Sequence, residues 1–131
     1  MRSVRAILCA TLAVAFAPLA QGGSFDGTKP LICAPVRAMD CAIGEQCVTG
    51  TPDEIGAPNF LRIDFDKKVV VGPQRTSPVM SADKNDKQIL LQGNELGYAW
   101  TIALDQGNGK MVVTLVDRAG AFVLFGSCTP L

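Results

Sequence analysis

The residues of this chain that could do chemistry are few, and their types exclude much. Cysteines stand at Cys9, Cys33, Cys41, Cys47 and Cys128, and two aspartates, Asp64 and Asp66, sit two apart in "RIDFDKK". There is no histidine in the 131 residues. That removes Ser-His-Asp and Cys-His nucleophile systems, imidazole-ligated metal centres and the usual general base near neutral pH. A carboxylate pair, a lysine, or a serine with a lysine are what remains. On one strand Asp64 and Asp66 would project to the same side at roughly 7 Å, a separation within reach of glycosidase chemistry. Charges alternating with Leu61, Ile63 and Phe65 are equally what any half-exposed strand carries, and this reading is preferred. No catalytic residue is assigned, and no enzyme is expected.

The cysteines read as a framework. In an exported chain an even number of cysteines forms disulfides. A zinc site would want ligands two to four residues apart, whereas "CAIGEQC" separates Cys41 from Cys47 by five, and no C-x-x-C redox motif occurs. The loop "DQGNGK" faintly suits calcium, but Gly107 and Gly109 stand where oxygen ligands should alternate. The expectation is no metal and no cofactor.

The first residues, "MRSVRAILCATLAVAFAPLAQGG", place Arg2 and Arg5 ahead of an apolar run and small residues after it, the pattern of a secretory signal peptide. The run is too short for a transmembrane helix, which needs roughly 20 residues. Cleavage after Gly22 discards Cys9 and leaves one domain, residues 23–131, with Cys33, Cys41, Cys47 and Cys128. Ten basic residues then face twelve acidic ones, scattered along the chain. Such a balance points to neither nucleic acid nor an anionic membrane as partner. The expected location is periplasmic or secreted.

The elements that would position these groups are strands. "FLRIDF" alternates with Leu61, Ile63 and Phe65 on one face, and a "DKK" turn leads into "VVVG". "RTSPVMS" is a further strand at an edge or bulge, because Pro78 cannot donate to a ladder. "ADKNDK" reads as a turn, "QILLQG" as a strand and "GNEL" as a turn. In "GYAWTIAL" Tyr98, Trp100, Ile102 and Leu104 share the large-residue face. Asn108 and Gly109 supply a tight turn of positive φ. "MVVTLVD", the turn "RAGA" and "FVLFGSC" complete a meander of eight or so strands with no helix. The fold class is all-β: an antiparallel meander forming a closed or partly open small barrel, lipocalin-like, or a sandwich, stapled by disulfides.

Phe122, Leu124, Gly126 and Cys128 have one parity, which turns the Cys128 sulfur toward the core-sized side chains. Four cysteines allow three connectivities. The expected one joins Cys33 in "PLICAPV" to Cys128, tying the first strand to the last, and lets Cys41 and Cys47 close a small loop. Such a bridge would also hold the first and last strands of a meander, which would otherwise be open edges.

"PLICAPVRAMDC", "LQGNELGYAWTIAL", "GKMVVTLV" and "AFVLFGSCTP" resemble a group of small exported bacterial proteins of unknown function that end in an F-G-x-C-T-P segment. The resemblance implies export and the disulfide pair, and it carries no functional residue. Two functional expectations follow from the residues. One is a small apolar ligand in a cavity lined by Tyr98, Trp100 and Ile102. The alternative is a periplasmic protein-interaction module, such as an inhibitor of a lysozyme-type enzyme, contacting its partner through the cysteine-flanked loop at Glu45 and Gln46.

Overall fold

Alternation of apolar and polar residues dominates the chain, and the computed structural model, which describes residues 25–131, turns it into strands. The expected signal peptide over 1–22, its cleavage after Gly22 and the discarded Cys9 lie outside the described residues. In chain order the elements are β1 (Leu31–Ala42), β2 (Val48–Gly50), a one-turn helix α1 (Pro52–Ile55), β3 (Leu61–Asp64), β4 (Val69–Val71) and β5 (Thr76–Pro78). They continue with β6 (Ser81–Lys84), β7 (Gln88–Glu95), β8 (Tyr98–Asp105), β9 (Lys110–Val116) and β10 (Gly120–Pro130). All strand pairs are antiparallel, in the order β5-β4-β3-β1-β10-β9-β8-β7-β6, with β2 added beside β1.

The two ends of that order, β5 and β6, are consecutive in sequence. Only Val79 and Met80 separate them. The Val79 N–H donates to Lys68 O at 2.8 Å and the Met80 N–H to Gln92 O at 2.8 Å, so this strap passes from the β4 edge to the β7 edge. The sheet therefore curls into a small, partly open barrel. Its inner face carries Ile89 and Leu91 of β7, Ile102 and Leu104 of β8, Met111 and Val113 of β9, and Leu124 of β10, all buried. Alternate residues of these strands point outward, as the two-residue period of a strand requires.

β1 needs one irregularity to keep this alternation. The register runs from Pro35 opposite Gly126 directly to Arg37 opposite Phe125, leaving Val36 as an extra, bulged residue. The bulge shifts the parity by one. Leu31 and Cys33 before it and Ala38 after it all reach the core, while Val36 and Arg37 face solvent.

The disulfides are Cys33–Cys128 and Cys41–Cys47. Cys33 and Cys128 are direct partners on neighbouring strands, and both are buried. The expectation that this bridge guards open edges is corrected, because β1 and β10 lie side by side in the middle of the sheet order. The bridge instead locks the seam between β1 and β10. Two disulfides suit an oxidising, extracellular or periplasmic environment. No helix among the described residues is long and apolar enough to cross a membrane.

Several boundaries differ from the sequence reading. "ADK" belongs to β6 and not to a turn, because pairing with β7 supplies the hydrogen bonds that its polar side chains do not signal. β7 runs on to Glu95, so the turn is Leu96–Gly97, with both residues at positive φ (49° and 85°). Asn108 is not at positive φ; Gly109 alone takes that conformation (71°), and Asp105 O accepts its N–H. β1 extends through Cys41 to Ala42. The helix α1 was not expected, although "TPDE" spells a capping box. Glu54 Oε2 accepts the Thr51 N–H at 2.8 Å, Thr51 Oγ1 accepts the Glu54 N–H at 3.5 Å, and Gly56 closes the turn in the left-handed region.

Candidate functional site

Apolar side chains on the inner face do not fill the curl. A cavity of about 670 Å³ remains, walled by Leu61, Val70, Trp100, Ile102, Val113 and Leu124. Packed interiors hold few voids larger than a water molecule, whereas ligand pockets run from about 300 to 1,000 Å³. The volume lies within the pocket range and the space opens at one end of the barrel, which makes it the candidate binding site.

Successive turns of a meander alternate between the two ends of the barrel. One end is covered by the segment Phe25–Pro30. A side-chain carbon added at Gly109 would overlap the Phe25 ring, one added at Gly27 would meet Phe65 and Ile89, and Lys84 Nζ donates to Asp26 O at 2.5 Å. The other end is the mouth, formed by Gly56–Phe60 after α1, by Gly72–Arg75 between β4 and β5, and by Glu95 at the end of β7. All the charge of the cavity is here. Arg75 and Glu95 approach to 3.9 Å, too far for a hydrogen bond, and Asn59 Nδ2 donates to Asp53 Oδ1 at 2.5 Å.

Deeper in, one polar side chain faces the apolar wall. Ser77, in the middle of β5, is buried; Trp100 Nε1 donates to its Oγ at 2.8 Å, and Oγ donates onward to Asn94 O at 3.3 Å. The Trp100 ring lies over Gly93, its register partner on β7, where a side chain would collide with the indole. Gly93 thus sets where the ring lies, and Ser77 fixes its polar edge.

Of the residues expected to contact a ligand, Trp100 and Ile102 line this cavity and Tyr98 does not. Tyr98 packs against Phe122, with ring centroids 6.1 Å apart. Glu45 and Gln46 are exposed on the loop closed by Cys41–Cys47. That loop lies at the same end as the mouth, and the Ile43 N–H bonds Ala119 O at 3.0 Å. Ser77, Arg75, Glu95 and the Gly56–Phe60 loop were missed, since only curling of the sheet brings them to one space. Pro78, which marked an edge, was the nearest signal.

Asp64 and Asp66 form no carboxylate pair. β3 ends at Asp64, whose Oδ1 accepts the Lys67 N–H at 3.0 Å, and Asp66 stands exposed in the turn. The expectation that Asp64 is an outward, exposed charge is corrected: it is 8% exposed, lying 3.9 Å from Arg62 and 4.0 Å from Lys67. A short strand followed at once by a tight turn lets the carboxylate fold back over the turn. Among the described residues no cluster of three His, Cys, Asp or Glu side chains could hold a metal. No family model matches the chain, and no curated protein or solved structure matches it.

Proposed function

We propose that this is an exported binding module whose barrel interior takes a small, uncharged apolar molecule. The observation that carries the reading is the unfilled apolar cavity beneath a mouth that holds all of the site's charge. An apolar cavity forfeits the dispersion contacts its walls could make, and a ligand that fills it restores them while leaving water. Shape and a few polar groups suffice for this role.

The single tryptophan of the chain lines the cavity and reports on it. N-phenyl-1-naphthylamine, an uncharged apolar probe, is expected to bind saturably with energy transfer from Trp100. Val70→Phe, which narrows the cavity, should weaken that binding with the fold retained. Absence of saturable binding to the wild-type protein, or binding indifferent to Val70→Phe, would overturn the reading.

The loop between Cys41 and Cys47 favours a second reading, as a surface for another exported protein. It is held by a disulfide, Ile43 is 79% exposed, and Glu45 and Gln46 are exposed on the same loop. A lysozyme-type enzyme inhibited by the wild type and not by Ile43→Asp or Glu45→Lys would support this alternative.

A further inference from the structure

Building on the apolar-ligand reading, we infer that the ligand carries one uncharged hydrogen-bond donor, such as the hydroxyl of an alcohol or phenol, which it gives to Ser77 Oγ. Ser77 is the one buried polar side chain on the cavity wall. A serine hydroxyl can donate once and accept twice. Its donor is engaged with Asn94 O at 3.3 Å, and one acceptor site takes the Trp100 Nε1 proton at 2.8 Å. What remains is a single acceptor site.

The indole cannot help a ligand either, because its one N–H is already given to Ser77. A ligand donor therefore adds a hydrogen bond without disturbing the existing two. A ligand acceptor, a ketone or an ether, gains a bond only by taking the hydroxyl proton from Asn94 O, so its bond replaces an existing one instead of adding to it. An ammonium donor would match Ser77 but would lose its hydration against Leu61, Val70, Ile102 and Val113, at a penalty far above one hydrogen bond. Carboxylates fail on both grounds. An uncharged donor, an O–H or an N–H, remains as the group that the site accommodates without loss.

Calorimetric titration with 1-naphthol, naphthalene and 1-methoxynaphthalene tests this. The three share an apolar body and differ in offering a donor, nothing, or an acceptor alone. 1-Naphthol should bind about tenfold more tightly than either, the factor that one net hydrogen bond supplies. In Ser77→Ala the indole N–H is freed and can bond the oxygen of either ligand, so the preference of 1-naphthol over 1-methoxynaphthalene should collapse to near unity. Should that variant fail to fold, Ser77→Cys, whose sulfur is a weaker acceptor, should show the same narrowing. Equal binding of all three to the wild type, or a preference unchanged in the folded variants, would overturn the assignment and leave apolar binding standing. If none of the three binds, the apolar-ligand reading falls, and this inference with it.

Discussion

Gly93 and Trp100 face each other across β7 and β8, and the pair works only because one of them has no side chain. A methyl at Gly93 would overlap the indole and lie 2.6 Å from Pro78 O, at the end of β5 just before the strap that closes the barrel. Gly93→Ala is therefore expected to destabilise the fold by about 1–3 kcal/mol, the range of overpacked cores, and to shift Trp100 emission; denaturant unfolding followed by fluorescence measures both. An unchanged midpoint would show that the ring has another position open to it. Leu96 presents the opposite case. It is the first residue of a two-residue turn, at φ 49°, a conformation that asparagine and glycine take far more readily than leucine. Its side chain is 68% exposed, so little packing is lost on replacement. Leu96→Asn should raise stability by about 0.5–1 kcal/mol, read as a higher thermal midpoint.

At the scale of elements, the two disulfides differ in what they constrain. Cys33–Cys128 spans a sequence separation of 95 and Cys41–Cys47 one of 6. On the chain-entropy account the long loop is worth about 4–5 kcal/mol and the short one about 2. Replacing both cysteines of the long bridge by serine should accordingly lower the denaturation midpoint more than replacing both of the short one. Equal losses would mean that burial and strain, rather than loop length, set the contributions. The α1 capping box makes a prediction about pH. Hydrogen bonds from the Thr51 backbone and hydroxyl hold the Glu54 carboxyl below the usual glutamate range. A carboxyl depressed on folding contributes fully at neutral pH, and the contribution is lost as pH falls below about 4 toward the folded value. Because α1 leads into the mouth, hydrogen-exchange protection at Glu54–Ala57, taken relative to the intrinsic rate at each pH, should fall over that range while β8 and β9 stay protected. Glu54→Ala should show the lower protection already at pH 7.

For the whole molecule, connectivity sets the order of stability. β1, β10, β9 and β8 each lie between two neighbours, and the Cys33–Cys128 bridge joins the first two. β6 is paired on one side and all four of its residues are exposed. Native-state hydrogen exchange should find the slowest amides in β8, β9 and β10 and the fastest strand amides in β6. Uniform protection would indicate a barrel that opens only as a unit. The same unevenness bears on binding: the strap Val79–Met80 carries few bonds, so breathing there would widen the space beside Ser77 without disturbing the seam.

The strand faces of β7 to β10 were legible in the sequence because side-chain parity is local: Trp100, Ile102 and Leu104 had to share a face, whichever partner that face met. Disulfide pairing was partly legible, since the parity of Cys128 turned its sulfur inward and "PLICAPV" reads as a first strand, but Cys41 lies in β1 as well, and only the register with β10 sets Cys33 directly opposite Cys128. Turn boundaries were less so. β6 reads as polar loop, and its strand state comes from backbone pairing with β7 rather than from its side chains. The bulge at Val36 was hidden for a similar reason, being a mismatch between two strands that are ninety residues apart. What only the tertiary structure decided is the cavity. Ser77, Trp100 and Arg75 are brought together by the closing of a curled sheet, and no spacing along the chain encodes how much space that curl leaves empty.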